Sequence, residues 1–297
     1  MGKISNAKFG KVSLKAWILL LPSLIFLTMF TIYPVIRTIY MSFFRISLGH
    51  EQPLFIGFDN YKQLIEDEIF LKVMENSFLF SLRTIPSSIF LGLIMAIILN
   101  RKTGGIGFLR TAFFYPTVIP MIAIANIWLF IYTPRIGILD QVFTFLHLPS
   151  MSFLGNKNTV LWALSIMYVW REAGYLMVFY LSGLQNISTE LYEAARLDGA
   201  SPVKIFTSIT VPLLMPTTLF VSTIALTNSF KTIDHIIVMT QGMPDNASNL
   251  LLYYIYQQGF QFWNQGKAAT LTVVMLGIML AIAAVQFFKS DSKIHYS

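Results

Sequence analysis

Arg171 and Glu172 stand side by side in the middle of an apolar run covering about residues 158–183. An ionised side chain at the centre of a bilayer costs at least about 2.5–3.5 kcal/mol, so such residues face a cavity or a partner. Neighbours in sequence do not face each other on a helix, so the two do not satisfy one another. Either they line a path for a polar solute or they form structural ion pairs with another helix. Gly174 follows closely, and one glycine beside two charges predicts a local break that would open backbone groups to a water-filled path. A second polar group, Asn228, Ser229 and Thr232, interrupts a later apolar run with amide and hydroxyl groups suited to sugar or polyol hydroxyls. Arg171 could instead recognise phosphate or carboxylate. Bond-making chemistry finds little support. There are no cysteines, and His50, His147, His235 and His295 lie scattered without metal-ligand spacing. No Gly-x-Ser-x-Gly elbow occurs, nor any phosphate loop. The glycine cluster Gly104-Gly105-Ile106-Gly107 lies in a short basic loop with no strand before it. The chain is therefore expected not to be an enzyme, and to bind no cofactor or metal of its own.

The elements that must position these residues are membrane spans. Of 297 residues, 55% are hydrophobic and only 12% charged, about half the charged share of a soluble domain. A span needs about 20 apolar residues. Six segments qualify, at about 14–35, 76–99, 109–132, 158–183, 211–232 and 268–288. The first has no small-residue cleavage site behind it and reads as an anchor. The formal charge of +7 comes from basic residues at the ends of apolar segments, which points to membrane orientation rather than nucleic acid. Lys and Arg are denser in 1–15, 100–110, 184–210 and 289–297, so both termini are expected in the cytoplasm. The expected domains are a tail at 1–13, one transmembrane domain at 14–288 and a tail at 289–297. Arg83, near the outer end of the second span, is expected to snorkel to the interface. Outside, Asp59 is expected to cap a short helix presenting Tyr61, Leu64 and Ile65 on one face. The run Leu252-Tyr253-Tyr254-Ile255-Tyr256 reads either as an interfacial aromatic belt or as a docking surface.

Residues 188–212 form a polar interlude between two spans. Ser188 is placed to cap a helix over 189–198, and Gly199 to end it in a left-handed conformation. Ser201-Pro202 then opens a second helix. Leu191, Ala194 and Ala195 make a small apolar stripe, and the two alanines let another surface approach the backbone closely. A helix lying on lipid headgroups would carry Lys and Arg on its polar face. Here Glu190 and Glu193 outnumber Arg196.

Glu193-Ala194-Ala195, then Gly199 after three intervening residues and Ile209-Thr210-Val211-Pro212 after nine more, resembles the EAA loop of ABC-importer permeases. Val211 stands where that family usually has Leu. The likeness continues through Tyr33-Pro34 with Ser42-Phe43, through Phe55 to Tyr61, and through Tyr115-Pro116 with Pro120 and Trp128. It takes in Trp170-Arg171 with Gly174-Tyr175, Ser229 to Asp234, and Gly242-Met243-Pro244, where Gly-Gly-Pro is more usual. It covers nearly all of Trp17 to Phe288 and is closest to the sugar and glycerol-3-phosphate, or maltose-type, branch.

The resemblance implies an all-α membrane protein of type I ABC importer permease fold, with six transmembrane helices and a cytoplasmic coupling-helix loop. It implies that Glu193, Ala194, Ala195, Asp198, Gly199, Pro202 and Pro212 meet a separate cytoplasmic ATPase dimer, which holds the ATP and Mg. Glu193 and Asp198 would be the polar contacts. It implies a solute path along Arg171, Glu172, Tyr175, Leu176, Asn228, Ser229 and Thr232. The implied partners are a second, homologous permease and an extracytoplasmic solute-binding protein resting on loops around 55–76 and 242–263. The cargo would be a sugar, oligosaccharide, polyol or glycerol 3-phosphate. An ion-coupled secondary transporter or channel subunit is the alternative, although such coupling usually needs several intramembrane carboxylates and Glu172 stands alone well inside a span.

Overall fold

The computed structural model describes residues 14–46, 52–101 and 104–291; the expected tail at 1–13 and residues 292–297 of the expected tail at 289–297 lie outside them, while 289–291 belong to the last helix. The first span is a continuous helical rod: α1 (Leu14–Leu27), a π-helical turn at Thr28–Ile32, and α2 (Tyr33–Met41). None of its apolar window is buried in this chain. Pro34 follows the π turn by two residues and cannot donate the next intrahelical bond, so the ladder loosens just before it. The same pairing recurs at Phe206–Thr210, two residues before Pro212. Beyond α2, β1 (Phe44–Arg45) and β2 (Leu54–Phe55) pair antiparallel, with Phe44 opposite Phe55.

Next comes α3 (Asp59–Glu66). Asp59 does not cap it: the cap position is Phe58, which offers no side-chain bond, and Asp59 is already inside the first turn. The expected face also divides, with Leu64 buried at 2% exposure and Ile65 exposed at 71%. The side-chain cap belongs to the following helix, α4 (Glu68–Leu99), where Asp67 Oδ1 accepts from the Ile69 amide at 2.9 Å. At 32 residues α4 runs about 48 Å and begins well before the expected span.

The third span is not straight. α5 (Ile106–Val118) and α6 (Met121–Tyr132) meet at 101°, because Pro120 has no amide hydrogen for the ladder and disfavours helical geometry at Ile119. After α7 (Ile138–Phe145) comes α8 (Val160–Gln185), the most buried helix of the bundle. α8 passes through Arg171, Glu172 and Gly174 without interruption, so the expected break does not exist. Gly174 serves packing instead: a Cβ there would strike the carbonyl oxygen of Phe113 on α5. Gly92 does the same for α4, where a Cβ would stand 3.1 Å from the Ala173 carbonyl oxygen.

Then follow α9 (Thr189–Leu197), α10 (Pro202–Ile205), α11 (Val211–Leu213), α12 (Met215–Lys231) and α13 (Asp234–Met239), with a 65° bend between the α10–α11 rod and the α12–α13 rod. Finally come α14 (Leu251–Tyr256), a π turn at Gln257–Gln261, and α15 (Gln265–Asp291). All six expected segments fall on helix. Among the described residues three rods are long and apolar enough to cross a membrane, and the two bent pairs bring that to five. α8 has the length but owes its place to burial among the others.

Packing defines two ends. Phe80 meets Tyr168, Gly92 meets Leu176, and Leu99 clusters with Leu184, so α4 and α8 run parallel. α12 runs opposite, with Leu214 near Gly183 and Asn228 bonded to Glu172. At the end carrying α3 and α14, Lys267 Nζ and the Tyr254 hydroxyl each donate to Asp67 Oδ2 at 2.7 Å. Burial alone would raise the Asp67 pKa, but these two bonds and the Lys267 charge outweigh it and hold the carboxyl below its ordinary value. Tyr253 and Tyr254 are buried, at 2% exposure each, so the expected aromatic belt or docking run is in large part core.

Candidate functional site

One cavity of about 330 Å³ opens where α5, α6, α8, α12 and α13 converge. Its walls are Thr117, Met121, Tyr168, Arg171, Glu172, Tyr175, Asn228, Lys231, Thr232 and Asp234. Helical spacing explains the selection. Tyr168, Arg171, Glu172 and Tyr175 recur at i, i+3, i+4 and i+7, while Asn228, Lys231 and Thr232 share a face of α12 and its end. The bend at Pro120 adds Thr117 and Met121.

Glu172 is 2% exposed, and its Oε1 accepts from Asn228 Nδ2 at 2.8 Å. A buried carboxylate without that donor would carry a full desolvation cost. Arg171 Nε and the Tyr168 hydroxyl are buried without a partner among the described residues, and neither Arg171 nor Lys231 forms an ion pair there. Unspent donors thus face the same space as two carboxylates, an amide, hydroxyls and two phenol rings. Such a wall can orient a neutral or mixed polar solute through many hydrogen bonds.

Five of the seven expected path residues line this cavity. Two do not. Leu176 is fully buried behind it, and Ser229 is turned away, its hydroxyl 2.7 Å from that of Ser81. Adjacent residues on a helix point about 100° apart, so a run of consecutive residues cannot all face the cavity. Tyr168, Thr117, Met121, Lys231 and Asp234 were missed; the i, i+3, i+4 pattern around Glu172 and Asn228 carries Tyr168 and Lys231, but nothing in the sequence gives the bend's direction. Behind the cavity lies His235, inside α13 and fully buried, its Nδ1 3.1 Å from the Thr232 hydroxyl. Arg83 sits apart, its guanidinium 3.9 Å over the Trp162 ring. Among the described residues no three His, Asp or Glu side chains gather to hold a metal ion.

The second assembly lies at the opposite end from α3. Ser188 Oγ accepts from the Glu190 amide at 3.2 Å and starts α9; Ser201 Oγ accepts from the Lys204 amide at 3.3 Å and starts α10. Between them Gly199 takes φ +76°. The Ala200 amide bonds the Ala195 carbonyl at 2.9 Å and the Gly199 amide that of Arg196 at 3.0 Å, which closes the helix end in a left-handed turn. Pro202 stands in the first turn of α10 and Pro212 in α11. Glu193, Ala194, Asp198 and Gly199 are exposed and Ala195 partly so. Leu191, Leu197 and Val203 are 46%, 90% and 72% exposed. The apolar stripe is therefore uncovered in this chain. The Tyr192 hydroxyl lies 3.2 Å from that of Thr210, tying α9 to the π turn ahead of α12.

Residues 88–289 match the family described as binding-protein-dependent transport system inner membrane component. The chain belongs to that family. It is a multi-pass permease of the ABC-importer type. It is 34% identical over 93% of its length to a probable ABC transporter permease, YurN, of Bacillus subtilis, covering 97% of that protein. It is 31% identical over 92% of its length to the sulfoquinovosyl glycerol transport system permease SmoG of Agrobacterium fabrum, covering 89% of it. The permease also superimposes on a chain of a bacterial ABC transporter that imports the acidic polysaccharide alginate. That match has a TM-score of 0.83 at 23% identity, over 93% of this chain and 94% of the other, and it speaks for the fold.

Proposed function

We propose that this permease carries a carbohydrate or related polar solute across the membrane, powered by a separate ATPase that docks on α9. One observation carries the proposal. The α9–α10 elbow is the direct connection between α8 and α12, the two helices that hold the Glu172–Asn228 pair in the cavity wall. A push on α9 reaches α8 through the three residues Asn186 to Ser188, and α12 through the segment that holds Pro202 and Pro212. Glu193 and Asp198 supply polar contacts to the ATPase, Ala194 and Ala195 allow close approach, and exposed Leu191 and Leu197 supply apolar area. ATP and Mg bind in that partner, and this chain holds neither.

Carbohydrate as cargo is supported by two things. The cavity combines Tyr168 and Tyr175 with dense donors and acceptors, and relatives are named for transport of sulfoquinovosyl glycerol and of starch degradation products. The single transmembrane domain, 14–288, pairs with a homologous permease, and a binding protein delivers solute at the α3 and α14 end. Both termini are then cytoplasmic. ATP closes the ATPase dimer and turns the cavity outward; hydrolysis returns it inward. Uptake of labelled sugars in cells with and without the ATPase tests this. Uptake that persists without the ATPase would support an ion-coupled carrier instead.

A further inference from the structure

We infer that Tyr175, Phe179 and Phe220 form an aromatic track along which the solute leaves the cavity toward the α9 end; this rests on the carbohydrate reading of the cavity. Tyr175 lines the cavity and is 37% exposed. Its ring centroid lies 5.2 Å from that of Phe179 at 84°, and Phe179 lies 5.4 Å from Phe220 at 73°. Tyr175 and Phe220, at the two ends, each make one such contact and keep a ring face for another partner, while Phe179 joins them and packs against the core behind.

The direction follows from the helices. Phe179 is one turn beyond Tyr175 on α8, toward Gln185. Because α12 runs opposite, Phe220 lies eight residues back from Asn228, about 12 Å nearer the α9 end. Phe220 is 54% exposed, so this chain leaves the end of the ladder open.

Hydroxyls accompany the rings. Phe220, Thr223, Thr227 and Lys231 are spaced by three, four and four residues and share one face of α12. The Thr223 and Thr227 hydroxyls donate to the carbonyls of Leu219 at 2.9 Å and Thr223 at 2.8 Å, and the Thr223 hydroxyl also lies 3.3 Å from Gln286 Oε1 on α15. Their oxygens keep lone pairs for a solute's hydroxyls. Lys231, at the top of the stripe, already lines the cavity. A sugar ring has apolar C–H faces and a hydroxyl rim, and this surface offers ring faces beside acceptors in one continuous line.

The test uses the complete reconstituted transporter with its binding protein, comparing Phe220→Leu, Phe220→Met and Phe220→Trp with Phe90→Leu. Phe90 is 63% exposed on α4 and touches neither cavity nor track. Phe220→Leu and Phe220→Met should each slow maximal sugar uptake by roughly two- to tenfold, the size of one lost aromatic contact. Stimulation of ATP hydrolysis by the loaded binding protein should persist, and Phe220→Trp and Phe90→Leu should transport normally. Unchanged uptake in the Leu and Met variants overturns the track. So does an equal loss in Phe90→Leu, or a joint loss of uptake and hydrolysis. A wild-type complex that hydrolyses ATP yet imports no carbohydrate refutes the underlying reading, a different outcome from wild-type uptake with indifferent Phe220 variants.

Discussion

Glu172 and Asn228 set the chemistry of the cavity. The carboxylate is nearly inaccessible and depends on one amide donor at 2.8 Å. Asn228→Ala should therefore cost about 1–3 kcal/mol of stability, seen as a lower melting temperature of the purified complex together with slower uptake. Asn228→Asp should be worse, since it sets a second carboxylate against the first; equal melting of all three proteins would contradict the assigned role. Asp67 gives a pH-dependent expectation at the other end. Its pKa is lowered in the folded chain despite burial, through Lys267 and Tyr254. A lowered carboxylate contributes stability that is complete above the unfolded value and is lost as pH falls through the folded one, here below about 4. Asp67→Asn should lower the melting temperature near neutral pH and flatten the acid limb of the stability profile. A parallel acid limb in the variant would mean that another group is responsible.

At the scale of elements, the α9–α10 elbow is a designed stop. Gly199 sits at φ +76° with nothing within 4 Å of a would-be Cβ, so conformation rather than space demands glycine. Gly199→Val should strain the turn by about 1–2 kcal/mol and uncouple the machine. Stimulated ATP hydrolysis and uptake should fall together, while the isolated binding protein keeps its solute affinity. Normal stimulation would count against the elbow. This part of the fold was legible because caps and left-handed turns are local: Ser188, Gly199 and Ser201-Pro202 announce themselves by residue type. The bends were not. Hydropathy averages along the chain and reports that 109–132 is apolar, but not that it folds back by 101° at Pro120. Gly174 misled for a related reason. Beside two charges it reads as a helix breaker, whereas its purpose is to admit the Phe113 carbonyl from α5, a tertiary contact with no local signature.

For the whole molecule, the arrangement places a polar cavity and the exposed α9–α10 elbow at two levels of the same pair of helices. Arg171, Glu172 and Asn228 drew notice in the sequence because charged and amide groups in lipid have few other reasons to exist, while Tyr175 came only from the family resemblance; all of them line the cavity. Leu176 and Ser229 face α4 rather than the cavity, at Gly92 and Ser81, because facing is decided by partners. The first rod and the α9 stripe are exposed in this chain, which leaves those surfaces open to the partners proposed above. The most direct check of the central claim is sugar uptake into vesicles holding this permease, its partner permease and the ATPase, with binding protein and ATP supplied on their respective sides. Uptake should require hydrolysable ATP and should vanish when Leu191 and Leu197 are both changed to Asp, with the assembled membrane subunits still recovered. Uptake that proceeds without ATP, or that survives the loss of the α9 surface, would contradict it.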